Sequence, residues 1–145
     1  MPQKQGVPKL VAQQAIEQAQ QATGLEHFDS DSYREGLDIF LSDVNAGQAP
    51  EAAVQRIQGA VVQALANRLK VTAYLEQHPT LLQQPIERPV FVFGIPRTGT
   101  TLLNNLLAAD PARRSPLTWE IDDPVPPAST QSLRTDPRAL QRLET

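Results

Sequence analysis

Between Pro89 and Ala109 the chain passes from an unbroken apolar run, through a glycine-bounded turn, into a helical pattern. Val90–Phe93 is β-branched and aromatic throughout, with Pro89 before it and Gly94 after it, which is the composition of a strand buried on both faces. Such a strand belongs at the centre of a parallel sheet. From Thr100 onward Leu102, Leu103, Leu106 and Leu107 recur at helical spacing until Asp110-Pro111 ends the run. Strand, turn and helix in that order bring free backbone N–H groups and the positive end of a helix dipole to one point, which suits a phosphate or a sulfate. Gly99 lets the backbone approach such an anion with no Cβ between, Thr98, Thr100 and Thr101 add hydroxyls, and Arg97 adds a planar fork of charged donors. Gly94 and Gly99 have the spacing of a P-loop, yet Thr100-Thr101 stands where that motif places lysine and a serine or threonine. A nucleoside triphosphatase built on this turn would lack its phosphate-bridging lysine.

Composition narrows the classes. The chain of 145 residues is 40% apolar, enough for a core of one ordinary domain. Its net charge is −3 and only 5% of its residues are aromatic, so it offers neither the basic face nor the stacking platform of a nucleic-acid binder. No cysteine is present, which rules out disulfides and thiolate metal sites and fits a reducing compartment. No apolar h-region follows Met1, and no apolar run approaches membrane-spanning length. A cytoplasmic protein without a membrane segment is the expectation.

Pro96-Arg97-Thr98-Gly99-Thr100-Thr101 resembles, at every position, the phosphosulfate-binding loop of the sulfotransferases that use 3′-phosphoadenosine-5′-phosphosulfate (PAPS). Arg97 in place of lysine, and Leu102-Leu103 after the threonines, are similar to the bacterial sulfotransferases and the tyrosylprotein sulfotransferases more than to the cytosolic small-molecule enzymes. The flanks Ile86-Glu87-Arg88-Pro89 and Pro116-Leu117-Thr118-Trp119-Glu120 also resemble the bacterial family, as does Thr23-Gly24-Leu25 through Arg34-Glu35-Gly36-Leu37. The resemblance implies an α/β fold in which an N-terminal helical layer precedes the start of a P-loop-like parallel-sheet domain. It further implies PAPS as co-substrate held by Arg97, Thr98, Gly99, Thr100 and Thr101, a hydroxyl or amine acceptor, and no metal. The family's second cofactor element, an arginine and a serine for the 3′-phosphate followed by another glycine motif, has no counterpart before Thr145. The chain is therefore expected to be an N-terminal fragment, inactive and prone to self-association alone.

Residues 1–80 read as helical and residues 81–145 as the beginning of the α/β domain. The first helix is expected over Val7–Thr23, ended by Gly24 in a left-handed cap with Leu25 packed behind it. Ser32-Tyr33-Arg34-Glu35 reads as a capping box that starts a second helix carrying Leu37, Phe40, Leu41 and Val44, closed by Asn45-Ala46-Gly47. Pro50 opens a third, whose Val54, Ile57, Val61, Leu65 and Leu69 lead on toward His78-Pro79, with Gly59 marking a close contact or a bend. Leu117–Ile121 reads as a second short strand, parallel to the first through a right-handed crossover, and Asp136-Pro137 as the cap and first turn of a further helix bearing Leu140 and Leu143.

Sulfuryl transfer requires a hydroxyl or amine to attack sulfur in line with a leaving phosphate, so positioning and electrostatics carry the reaction. Arg97 and the N–H groups of Thr98–Thr101 are placed to stabilise the developing charge. Glu120, at the end of the expected second strand, is the candidate general base, and a glutamate at a similar distance from the loop is catalytic in the tyrosylprotein sulfotransferases. Asp122 and Asp123 stand close enough to exchange with it on a small change of register. His27 and His78 read as surface or helix-end residues, Arg113 and Arg114 as an exposed turn or as aids to the phosphates, and Trp119 as packing over the loop or as the lining of an acceptor pocket, packing being preferred. Two other functions fit the same residues: a nucleotide-dependent kinase with a degenerate P-loop, and a non-catalytic module whose helices dock a partner. The acceptor and the oligomeric state are not encoded in any stretch of these residues.

Overall fold

The glutamine- and alanine-rich stretch from residue 12 has high helix propensity and one apolar stripe. In the computed structural model, which describes residues 9–47 and 49–143, it forms helix α1 (Ala12–Thr23). Val7 and Pro8, at the start of the expected helix, lie outside the described residues. The end is as expected: Gly24 is left-handed at φ 67°, its N–H donates to the Gln20 carbonyl at 2.8 Å, and Leu25 packs against the core. Helices α2 (Arg34–Ala46) and α3 (Glu51–Gln77) complete the unit Met1–His78. Pro50 is the N-cap of α3, and at 1.5 Å per residue that helix is roughly 40 Å long.

Ala15, Ile16 and Ala19 of α1 bury against Leu65, Ala66 and Leu69 of α3. The three alanines let the two helices approach closely, and Phe28, Leu37 and Val61 close the margins of the contact. Leu10 packs with Leu41 and Val54 in a second cluster. Since Leu10 precedes α1, its backbone has no helical partner, and the Asn45 side chain supplies both: Leu10 N–H donates to Asn45 Oδ1 and Asn45 Nδ2 donates to the Leu10 carbonyl, each at 2.8 Å.

The capping box expected at Ser32–Glu35 does not form; Tyr33 is the N-cap of α2, already helical and without a side-chain cap bond. The reason lies in α3. Arg68 donates to both carboxylate oxygens of Asp29, at 2.7 and 2.9 Å, and its Nη2 also reaches Ser30 Oγ at 3.2 Å and Ser32 Oγ at 3.4 Å. The same guanidinium lies 5.0 Å from the centre of the Tyr33 ring and holds the Asp29 carboxyl below the usual carboxylate range. A charge-assisted fork outweighs one neutral cap bond.

Gly59 does not mark a close contact: it is exposed on α3, with open space where a Cβ would stand. Glycine in a helix interior is worth about 0.5–1 kcal/mol less than alanine, so Gly59→Ala is expected to stabilise the helical unit by that amount, read as a raised urea midpoint followed by circular dichroism. A lowered midpoint would mean that the position serves a contact.

The second unit, Pro79–Thr145, opens with a 3₁₀ turn (Pro79–Gln83) and carries α4 (Thr100–Ala108), α5 (Thr118–Asp122) and α6 (Pro137–Leu143). Among the described residues there is no β-ladder, so the parallel sheet expected around Val90–Phe93 is not formed by them. The run is nonetheless drawn out: the rings of Phe91 and Phe93 stack with centroids 6.2 Å apart, as alternate side chains of an extended backbone do. Phe93 is 87% and Ile95 77% exposed, and Leu102 and Leu106 of α4 are exposed as well. One strand satisfies none of its own hydrogen bonds, and an apolar one requires neighbours on both edges and both faces.

The expected partner strand, Leu117–Ile121, is corrected to helix α5, and the expected crossover between strands goes with it. Glu120 Oε2 accepts the N–H of Leu117 at 2.7 Å, the side-chain arm of a capping box, which closes one helical turn. The β-branched and aromatic content of that stretch is a weak preference beside a made hydrogen bond. Asp136 does cap α6 as expected, its Oδ1 accepting the Arg138 N–H at 2.9 Å. No described helix is long and apolar enough to cross a membrane.

Candidate active site

The turn between Val90–Phe93 and α4 is held by its smallest residues and one hydroxyl. A Cβ on Gly94 would stand 2.5 Å from Thr100 Cγ2 and 2.7 Å from Thr98 Oγ1, so only glycine fits. Thr98 Oγ1 donates to the Ile95 carbonyl at 2.6 Å. The side chain of Thr98 therefore shapes the turn, and of its donors the backbone N–H is the one left for an anion. Gly99 is the N-cap of α4 at φ 89°, with no side-chain cap bond, which leaves the first-turn N–H groups of the helix without a protein cap. Arg97 is also left-handed, at φ 71°. For a residue with a Cβ this conformation costs about 1–2 kcal/mol, and strain of this kind collects at sites that bind or react. Arg97 is exposed, and no described side chain pairs with its guanidinium.

Gly94→Ala tests how tightly this turn is built. Threonine is stiff at χ1, so Thr98 and Thr100 cannot both swing aside, and overpacking of this kind costs about 1–3 kcal/mol. The N–H of Leu103 donates to the Gly99 carbonyl at 3.0 Å, and its exchange protection is expected to fall by about tenfold or more in the variant. Unchanged protection would show that the turn yields.

Glu120 lies on α5, with its side chain 12% exposed. Its Oε1 accepts from Arg114 Nη2 while its Oε2 accepts the Leu117 N–H. No hydrogen bond or ion pair joins Glu120 to the loop 94–101 among the described residues, although both lie in one unit. The two neighbouring carboxylate residues are placed differently. Asp122 pairs with Arg142, and the Asp123 carbonyl accepts Arg138 Nη1 at 2.7 Å. Arg138 also forks onto Asp136, at 2.9 and 2.8 Å, holding that carboxyl below the usual range, and stands 4.9 Å over the ring of buried Trp119. Trp119 is thus a packing residue beneath a guanidinium.

Arg113 pairs with Asp110 at 3.4 Å, which closes the turn after α4. His27 faces Glu76 at 3.4 Å, and His78 stacks on Tyr74 with ring centroids 4.1 Å apart at the end of α3, so both histidines serve the helical unit. A cleft of about 390 Å³ lies between the start of the 90–93 run and the end of α4, lined by Arg88, Val90, Asn104, Arg113 and Arg114, and includes neither the loop nor Glu120. The described residues contain no cluster of histidines and carboxylates suited to a metal. Three features escaped the sequence: the Gly94 close approach, the Thr98–Ile95 bond and the Arg114–Glu120 pair. Glutamate three residues after Leu117 signals the bond between Leu117 and Glu120, masked by the absence of serine or threonine at the cap, whereas no spacing signals the reach of Arg114 to Glu120.

Residues 89–145, which include the loop and Glu120, match the model of the sulfotransferase family. Among solved structures the chain is similar to sulfotransferase STF9 from Mycobacterium avium, at 44% identity and TM-score 0.83 over 99% of this chain and 36% of that one. It is also similar to sulfotransferase STF1 from Mycobacterium tuberculosis H37Rv, at 30% identity and TM-score 0.80 over 94% of this chain and 38% of that one. No curated protein sequence matches. The chain thus spans somewhat more than a third of the length of the two solved enzymes. With a family match that covers the anion-suited turn and two solved relatives that align over nearly all of its residues, the chain belongs to the sulfotransferase family.

Proposed function

We propose that residues 94–101 bind the phosphosulfate of PAPS and that Glu120 is the general base for transfer of its sulfuryl group to a hydroxyl or amine. The observation that carries this reading is the N-terminus of α4, which has no side-chain cap bond and is entered through two left-handed residues, one of them Arg97, whose guanidinium has no partner among the described residues. In the complex, the backbone N–H groups of Thr98–Thr101 and the hydroxyls of Thr100 and Thr101 would hold the anionic oxygens, and Arg97 would neutralise charge on the bridging and leaving oxygens. The acceptor atom forms its bond to sulfur as the bond from sulfur to the bridging phosphate oxygen breaks. The acceptor's proton passes to Glu120. Both oxygens of Glu120 keep a lone pair beyond the bonds to Arg114 and Leu117, so the carboxylate is able to accept it. The kinase reading has no lysine for its phosphates, since Thr100 occupies that place.

Calorimetry tests the donor. A transfer-length protein that carries these residues is expected to bind PAPS with no divalent cation present, with inorganic sulfate competing weakly for the same loop. Tighter binding of ATP with magnesium than of PAPS would favour the kinase, and no binding of any nucleotide by a transfer-length protein would favour an interaction module.

A further inference from the structure

We propose that Arg114 is the positioning residue for Glu120, fixing the base in the frame of the helix that begins at the anion loop. This rests on the reading of Glu120 as the base. Arg114 donates to Oε1, the Leu117 N–H donates to Oε2 at 2.7 Å, and the two bonds together determine the plane of the carboxylate. Leu117 alone belongs to the same short turn as Glu120 and moves with it, so it sets the rotamer but not the place of the turn. Arg114 lies outside that turn.

The segment that carries Arg114 is itself tied down. The Asp110 Oδ1 accepts the Ala112 N–H at 2.9 Å, the Asp110 carbonyl accepts the Arg113 N–H at 2.9 Å, and Arg113 pairs with the Asp110 carboxylate. Ser115 Oγ, next to Arg114, bonds to Asn104 Oδ1 at 3.2 Å. Asn104 is on α4, one turn after the loop. A chain of contacts therefore runs from the loop through α4, Asn104, Ser115 and Arg114 to the Glu120 carboxylate. Arg113 directs its charge at Asp110 and helps to close the turn, whereas Arg114 reaches Glu120, so two adjacent arginines of one turn have separate tasks. A guanidinium suits this one, since it keeps its charge at any working pH and its donors lie in one plane. Misplacing a reacting group by 1 Å costs about a hundredfold in rate, which is the scale on which a positioning residue acts.

Two measurements test the proposal. In the 145-residue chain, exchange of the Leu117 amide proton is expected to quicken by about fivefold or more in Arg114→Ala, because the carboxylate that accepts it is released, and to return to within about twofold of the parent in Arg114→Lys. Unchanged exchange in Arg114→Ala overturns the positioning, whatever the activity. In transfer-competent protein, with labelled PAPS and a panel of one phenol, one alkyl alcohol and one amine, Arg114→Ala is expected to lower kcat by about 10–100-fold while leaving PAPS affinity within about twofold. The same substitution in a Glu120→Gln background is expected to change kcat by less than about twofold, since Arg114 then has no carboxylate to hold. An equal loss in both backgrounds, or a loss of PAPS affinity, would show that Arg114 acts on the anion and not through Glu120. Full transfer by Glu120→Gln, with Leu117 exchange quickened as expected in Arg114→Ala, would reject Glu120 as base and leave the contact a structural one.

Discussion

Arg97→Ala is expected to abolish sulfuryl transfer and to weaken PAPS binding by about 10–150-fold, the equivalent of the 1.5–3 kcal/mol carried by a charge-assisted hydrogen bond. The size of the effect follows from the surroundings of the residue. No described side chain neutralises Arg97, so its full charge is available to the anion and no neighbour replaces it when it is removed. The backbone separates this effect from folding. Arg97 is left-handed at φ 71°, a conformation that alanine tolerates no better and glycine adopts freely. Arg97→Gly is therefore expected to stabilise the turn while binding PAPS as poorly as the alanine variant. Arg97→Lys restores the charge without the planar fork and is expected to recover only part of the affinity. If calorimetry found PAPS affinity unchanged in Arg97→Ala, the loop would not be the donor site.

The sequence read well where a pattern was local and complete. Gly24-Leu25 ended α1 through a left-handed cap, Pro50 opened α3, and Asp136 capped α6, each by a bond between residues a few positions apart. The turn 94–99 belongs to the same class, because glycine positions and the leucine spacing of α4 are written in one contiguous stretch. It failed where a distant residue decided the outcome. Ser32 was a sound cap on its own terms, but Arg68, far along the chain, draws Ser30, Ser32 and Asp29 toward α3. Leu117–Ile121 had strand composition, and a single side-chain bond from Glu120 turned it helical. The sheet is a different case: Val90–Phe93 has the sequence of a buried strand, and a strand exists only with partners, which the described residues do not supply. Of the candidate site, the residue types of the loop were legible, whereas Thr98 bonding back to Ile95 and Arg114 reaching Glu120 depend on backbone directions that no spacing rule gives.

Glu120→Gln is expected to lower turnover by about two to four orders of magnitude with donor affinity intact, the share of a positioned general base. Glutamine is the informative substitution because it keeps the fold. Its amide oxygen accepts the Leu117 N–H as Oε2 does, so α5 retains its cap, while the charge and the proton-accepting capacity are lost. Glu120→Ala would lose the cap as well, at about 0.5–2 kcal/mol, and would confuse folding with chemistry. The comparison that decides the assignment is Asp122→Asn. Asp122 is on the same short helix, and its carboxylate pairs with Arg142 of α6. Its loss should cost the α5–α6 contact and leave turnover within a few-fold. A loose transition state, in which the bond to the leaving phosphate breaks ahead of the new bond, releases the acceptor's proton late, so a carboxylate held in place serves where a stronger base held loosely would not. Steady-state rates at saturating PAPS check this directly. Equal losses in Glu120→Gln and Asp122→Asn would mean that both act through the stability of α5, and full turnover in Glu120→Gln would assign the proton to another group.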